Sequence, residues 1–190
     1  MISGSVDTLA EAEALYSRVV LDPARYTAEA VEALARARVA GQVEVLTVAL
    51  RACAWARHAV LDNAGAKRLL DEGVRIAERH GLALRLGDLL VTRAVALLEL
   101  GHPAAAGRDL RRAEPLVAPD RRPELLMQRA IIDHNAGRAA SAAVLYRRVL
   151  ADPACPPVVW VKAANNLSVA QTQLGDPAGA LDYLDRAVEL

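Results

Sequence analysis

The sequence has no phenylalanine, and aromatic residues make up only 3% of its 190 residues. Sheets draw on aromatic and β-branched side chains. Their scarcity, beside a 54% apolar fraction rich in alanine, leucine and valine, predicts closely packed helices. Net charge is also missing, because 23 basic and 23 acidic residues cancel. That excludes the field that would draw the chain onto nucleic acid or an anionic membrane. Cys53 and Cys155 are the only cysteines, far apart and without CxxC or Cys/His spacing. Neither a disulfide framework nor a zinc site follows, and both read as plain thiols in a reducing compartment. No run reaches about 18 consecutive apolar residues, and "MISGSVDTLAEAEALYSRVV" lacks a basic segment followed by an unbroken apolar one. The expectation is a soluble, cytoplasmic, all-α protein folded as one domain. Arginine far outnumbers lysine, which together with the alanine content is the composition of a high-GC bacterial genome.

What the sequence does contain is a repeat. Small or compact residues recur at spacings of twelve and then seven: Ala54, Ala66, Gly73; Ala94, Ala106, Ala113; Ala130, Ala142, Val149; Ser168, Ala180, Ala187. Four residues after each middle member stands a bulky one, namely Leu70, Leu110, Tyr146 and Leu184. Antiparallel helices approach closely only where facing side chains are small, and a bulky residue between them fills the groove toward the next pair. Each unit is therefore predicted to be a helix hairpin. The breaks "LGHP", "NAGR" and "LGDP" fall midway in their units, each with a helix-ending glycine. The units lie near residues 11–46, 47–86, 87–122, 123–160 and 161–190, giving about five hairpins and ten helices. In the first, Ala30, Leu34 and Ala37 carry the second-helix pattern, but Arg18 takes the small position of the first helix. A rival register exists there, because "AEALYSRVVLDPA" (12–24) parallels "AAVLYRRVLADPA" (142–154).

This pattern resembles the tetratricopeptide repeat, best in "NNLSVAQTQLGDPAGALDYLDRAVEL" and over about residues 47–190. The resemblance implies a right-handed superhelical solenoid that binds protein or peptide segments without catalysis. Arg93, Arg129 and Asp133 depart from it, standing at first-helix positions that are usually apolar or aromatic. Phrases such as "RIAERHG" and "RAVALLELGHPAAAGRDLRRAEPLV" are similar to the amino-terminal arrays of actinobacterial CHAT proteins, where a caspase-like protease domain follows. On that reading the chain is the amino-terminal part of a longer protein and a regulatory sensor for the downstream domain. The last helix, with Leu181, Leu184 and Val188, has nothing after it to cover its apolar stripe. Continuation into a longer protein is the favoured explanation; pairing with a second copy as a homodimer, or an end that tolerates exposure, are the alternatives.

Chemistry-bearing constellations are sparse. Cys53 and His58 share a helix but point in different directions, which defeats a nucleophile and base pair. His80, His102 and His134 have no second ligand at helical spacing, so no metal is expected. No glycine-rich phosphate loop is present, and no cofactor is expected. If the protein binds a partner, the first helices should line the surface that does so. The resemblance assigns to that groove Arg51, Trp55 and His58 in the second hairpin, Asp88 and Thr92 in the third, Glu124, Gln128 and His134 in the fourth, and Lys162, Asn165 and Asn166 in the fifth. The amides of Asn165 and Asn166 beside Lys162 suit a peptide backbone or carboxylate, since an amide donates and accepts at once. Trp55 is either an anchor for a ligand or a residue covered by the first hairpin.

Overall fold

The computed structural model describes residues 8–176, and these form nine α-helices and one short 3₁₀ turn, with no strand among the described residues. The chain divides into two compact units, residues 1–116 and 117–190.

The first unit holds α1 (Leu9–Leu21), α2 (Pro23–Ala40), α3 (Val43–Ala59), α4 (Asn63–Arg79), α5 (Ala83–Glu99) and α6 (Pro103–Ala113). Local chemistry sets where several of them begin. Thr8 and Glu11 form a reciprocal capping box at the start of α1. Asp22 accepts from the Arg25 amide, and Pro23 follows it at the first helical position of α2. Asp62 does the same for α4 through the Gly65 amide. Sequential helices pack as antiparallel neighbours, and α1 and α5 each also lie against α3.

The second unit begins with the 3₁₀ turn (Pro119–Arg121), followed by α7 (Arg122–Asn135), α8 (Ala139–Leu150) and α9 (Pro157–Gln173). Here α8 packs on both α7 and α9, and α7 touches α9. Trp160 fixes one of these contacts, its indole N–H donating to the Leu150 carbonyl at the end of α8 at 3.2 Å. The second helix expected for the fifth hairpin, with Ala180, Leu181, Leu184, Ala187 and Val188, falls outside the described residues.

The small and bulky positions of the repeat form the hairpin interiors. Ala54, Ala66, Leu70 and Gly73 are buried, as are Ala94, Ala106, Leu110 and Ala113, and Ala130, Ala142, Tyr146 and Val149. The hairpin turns after α3, α5 and α7 close in the same way. Gly101 and Gly137 take positive φ, and the two residues of each turn donate back to carbonyls of the preceding helix, as in Gly101 to Leu98 and His102 to Leu97. At the equivalent point after α3 the residue is Leu61, with φ of 64°.

In the first hairpin Ala30, Leu34 and Ala37 of α2 are buried, as the second-helix pattern expects. Ala12, Tyr16 and Val19 are the buried stripe of α1, as Ala142, Tyr146 and Val149 are of α8. Arg18 does not occupy a small buried position. It reaches Glu29 on α2 at 2.7 Å and sits over the Tyr26 ring at 4.9 Å. A guanidinium with a half-exposed partner has no reason to enter an alanine-lined interior.

Candidate functional site

In the first unit the predicted groove residues meet as a packed network. Arg51 projects from α3 and Thr92 from α5, and they are only 3% and 5% exposed. The Arg51 Nε–H donates to Thr92 Oγ1 at 2.9 Å, and its Nη1 lies 3.6 Å from Asp88 Oδ2. The guanidinium is stacked on the Tyr16 ring of α1 at 3.9 Å. Arg85 completes the cluster, pairing with Glu13 of α1 and lying 3.6 Å from the same Asp88 oxygen. Arg51, Arg85 and Asp88 line a narrow crevice with Thr47, Val48 and Leu89. Tyr16, Glu13 and Arg85 are the members that sequence reasoning missed. Their signal was the Ala12, Tyr16, Val19 stripe, which puts Tyr16 on the buried face of α1.

Trp55 and His58 stand further along α3 and are partly exposed. Their rings are 5.2 Å apart, and His58 Nδ1 is 2.7 Å from Asn63 Oδ1 at the start of α4. Trp55 packs against the core made by α1 to α4 while keeping part of its surface open.

In the second unit the predicted residues remain at the surface. Glu124, Gln128 and His134 are partly exposed on α7, Asn166 is partly exposed on α9, and Lys162 and Asn165 are exposed beside it. Glu124 holds Arg121 at 2.8 Å, and the His134 ring meets Tyr146 edge-on at 6.3 Å. Burial, joined by the charge of Asp133, pushes the Tyr146 phenol up to about 12, so it stays a neutral packing residue.

The remaining reactive groups have structural settings. Cys53 is buried, with its sulfur 3.2 Å from the Ala30 carbonyl, and burial raises its thiol to about 11. Cys155 is half-buried in the loop before α9, and burial followed by the charges of Asp152 and Glu124 raises it likewise to about 11. A thiol so raised holds little of the thiolate that nucleophilic or metal chemistry requires. Among the described residues no group of three histidine, cysteine or acidic side chains could hold a metal ion. No helix among them is long and apolar enough to cross a membrane.

Two of the departures from the repeat pattern are explained by ion pairs. Arg93 on α5 binds Asp109 on α6 and Asp71 on α4, and Asp133 on α7 holds Arg138 and Ser141 across a hairpin turn.

No family model matches the chain, and no curated protein matches it. Solved structures do. The chain is similar to BtubC (BKLC) from P. vanneervenii, with 16% identity and a TM-score of 0.67 over 95% of this chain and 78% of that one. It is similar also to YrrB, a TPR protein with an unusual peptide-binding site, with 21% identity and a TM-score of 0.53 over 98% and 86% of the two chains. The fold is of the tetratricopeptide type. At these identities the likeness concerns the fold alone.

Proposed function

We propose that the chain is a non-catalytic interaction module that holds a peptide or protein segment along its first helices, with α7 and α9 as the contact surface. The observation that carries this reading is a contrast within the candidate set. Arg51, Asp88 and Thr92 are absorbed by one another in the first unit, whereas Gln128, Asn165 and Asn166 offer amides at the surface of the second. Amides of this kind pair with either polar group of an extended backbone, and Lys162 favours an acidic or carboxyl-terminal segment. The peptide-binding site named for YrrB supports the class of partner. Affinity would come from one or two anchors and a rim of polar contacts.

The test is to select peptides from a random display library on the intact chain and measure the best binder against Gln128→Ala and Asn166→Ala variants. The reading expects each substitution to weaken binding by roughly fivefold or more, about 1 kcal/mol. Unchanged affinity in both would move the site away from α7 and α9.

A further inference from the structure

The neutral balance of the whole chain hides an uneven distribution of charge within the first unit. Helices α4 and α6 each bury one stripe, through Ala66, Leu70 and Ala77 on α4 and Ala106, Leu110 and Ala113 on α6. Their opposite faces carry charged side chains, and two links tie those faces together. Arg112 of α6 reaches Glu78 of α4 at 2.6 Å, and Arg93 holds Asp71 of α4 and Asp109 of α6 at once.

Every acidic side chain of these two helices is already matched. Asp71 is held by Lys67 and Arg93, Glu72 by Arg38, Glu78 by Arg112 and Asp109 by Arg93. What the matching leaves over is positive. Arg68, Arg75 and Arg79 on α4 and Arg108 and Arg111 on α6 are all exposed, and among the described residues none of them forms an ion pair. Arg75 engages only its Nε–H, on the Asp71 carbonyl at 3.3 Å, and Arg68 acts on Asp62 through its charge alone. The arginines of α2 are accounted for by contrast: Arg36 meets Glu32, Arg38 meets Glu72, and Arg25 lies over the Tyr26 ring.

The unmatched charges are aligned. Arg68, Arg75 and Arg79 fall within roughly 40° of one another around α4, with steps of about 10 Å and 6 Å along its axis. Arg68 and Arg108 stand at the same place in the repeat, two residues after Ala66 and Ala106. A guanidinium grips a carboxylate through two parallel N–H···O bonds, so such a row suits carboxylates presented about one or two helical turns apart. A phosphate backbone fits it less well. It carries a charge at every step and would also meet Glu72 and Glu78, which stand among the arginines, and neither helix holds an aromatic ring on which a base could stack. A protein segment can set neutral side chains opposite those two glutamates.

We propose that the outer face of α4 and α6 docks an acidic segment of a partner protein, with glutamates or aspartates spaced a helical turn apart. Contacts of this kind are open to solvent, so the binding is weak and sensitive to salt. The face is separate from the peptide surface on α7 and α9, and the two readings stand or fall independently.

The experiment is fluorescence anisotropy on the intact chain with a labelled glutamate and alanine peptide that presents one carboxylate per helical turn. A single-stranded oligonucleotide of equal charge and phosphatidylserine vesicles are measured beside it. Circular dichroism checks that each variant keeps its helix content. The peptide is expected to bind the wild type at low salt and to lose roughly tenfold in affinity between about 50 and 300 mM salt. Arg75→Gln/Arg79→Gln and Arg108→Gln/Arg111→Gln should each weaken it by about fivefold or more. Arg147→Gln/Arg148→Gln, an equal loss of charge at exposed positions of α8, should stay within about twofold of the wild type, as should Gln128→Ala/Asn166→Ala. No binding at low salt overturns the proposal, as does an equal loss in the α8 variant, which would report net charge alone. Loss of binding in Gln128→Ala/Asn166→Ala but not in the arginine variants of α4 and α6 overturns it too, by moving the acidic segment to α7 and α9. Tighter binding of the oligonucleotide or the vesicles than of the peptide overturns the choice of a protein partner.

Discussion

Arg93 and Asp109 face each other through two parallel hydrogen bonds, Nε to Oδ2 at 2.7 Å and Nη2 to Oδ1 at 2.8 Å. A third, from Nη1 to Asp71 Oδ1 at 3.0 Å, ties α4 into the same grip. Asp109 is buried, and its hydrogen bonds raise the already high pKa of the guanidinium further. Arg93 stands at a first-helix position where the repeat ordinarily places an apolar side chain. Breaking such a pair leaves a charge stranded in the interior, whereas replacing both members with apolar groups removes the stranded charge. Arg93→Leu should destabilise the chain by about 3 kcal/mol, while Arg93→Leu/Asp109→Leu should lie within about 1 kcal/mol of the wild type. Urea denaturation followed by circular dichroism measures both.

Leu61 adopts a φ of 64° at an exposed turn, 81% open to solvent, where the α5–α6 and α7–α8 turns use Gly101 and Gly137. A β-carbon is strained in that region, and the exposed side chain makes little packing to offset it. Leu61→Gly is expected to raise stability by about 0.5 kcal/mol, the relief of strain being partly cancelled by the flexibility of glycine in the unfolded chain. The reciprocal change, Gly101→Ala, introduces that strain at a φ of 75° and should lower stability by about 1 kcal/mol. A pair of thermal melts with the opposite signs would contradict the strain argument.

The α3–α4 and α7–α8 turns are closed by the same ion pair with its charges exchanged. Arg57 before the first turn meets Asp62 after it at 2.6 Å, and Asp133 before the second meets Arg138 after it at 2.6 Å. Hydrogen bonds from the Gly65 amide and Arg57 hold Asp62 below the ordinary carboxylate range. For Asp133, partial burial pushes upward, but Ser141 and Arg138 outweigh it and the net direction is also down. A carboxylate depressed in the folded state contributes stability above its unfolded pKa, near 3.9. That contribution is lost as pH falls through the lower folded value. Melts should therefore lose midpoint temperature below about pH 4, and Asp133→Asn should flatten part of that slope while costing roughly 0.5–1 kcal/mol at neutral pH. An unchanged slope would mean that Asp133 is not held by its partners in solution.

Thiol labelling separates the two cysteines. Both have pKa values raised to about 11, so neither carries much thiolate near neutral pH. Cys155 sits half-open in a loop and Cys53 is enclosed between α3 and α2. With a chromogenic disulfide reagent at pH 8, Cys155 should react slowly and Cys53 only at the rate at which the chain opens. Urea should bring both to the rate of a free thiol. Rapid labelling of Cys53 in the native chain would contradict its burial.

The hairpins were legible in the sequence because the forces that make them act over short spans. The spacing of Ala94, Ala106 and Ala113, or of Ala130, Ala142 and Val149, records two helices and the turn between them. Caps such as Asp62, and glycines at positive φ such as Gly101, mark where those helices stop and start. Candidate groove positions came from the family resemblance laid on that register, and in the structure they differ in exposure. Gln128 and Asn166 reach the surface, whereas Arg51 and Thr92 are enclosed.

The sequence by itself determined the all-helical hairpins and their interiors, since side-chain size and helical period are local properties that neighbours cannot reverse. Tertiary structure alone decided which polar groups became neighbours. Glu13 reaches Arg85 across 72 residues and Arg93 reaches Asp71 across 22, while Tyr16 of α1 lies under the Arg51 guanidinium. No periodicity encodes such meetings, because an ion pair depends on how helices distant in the chain are brought together.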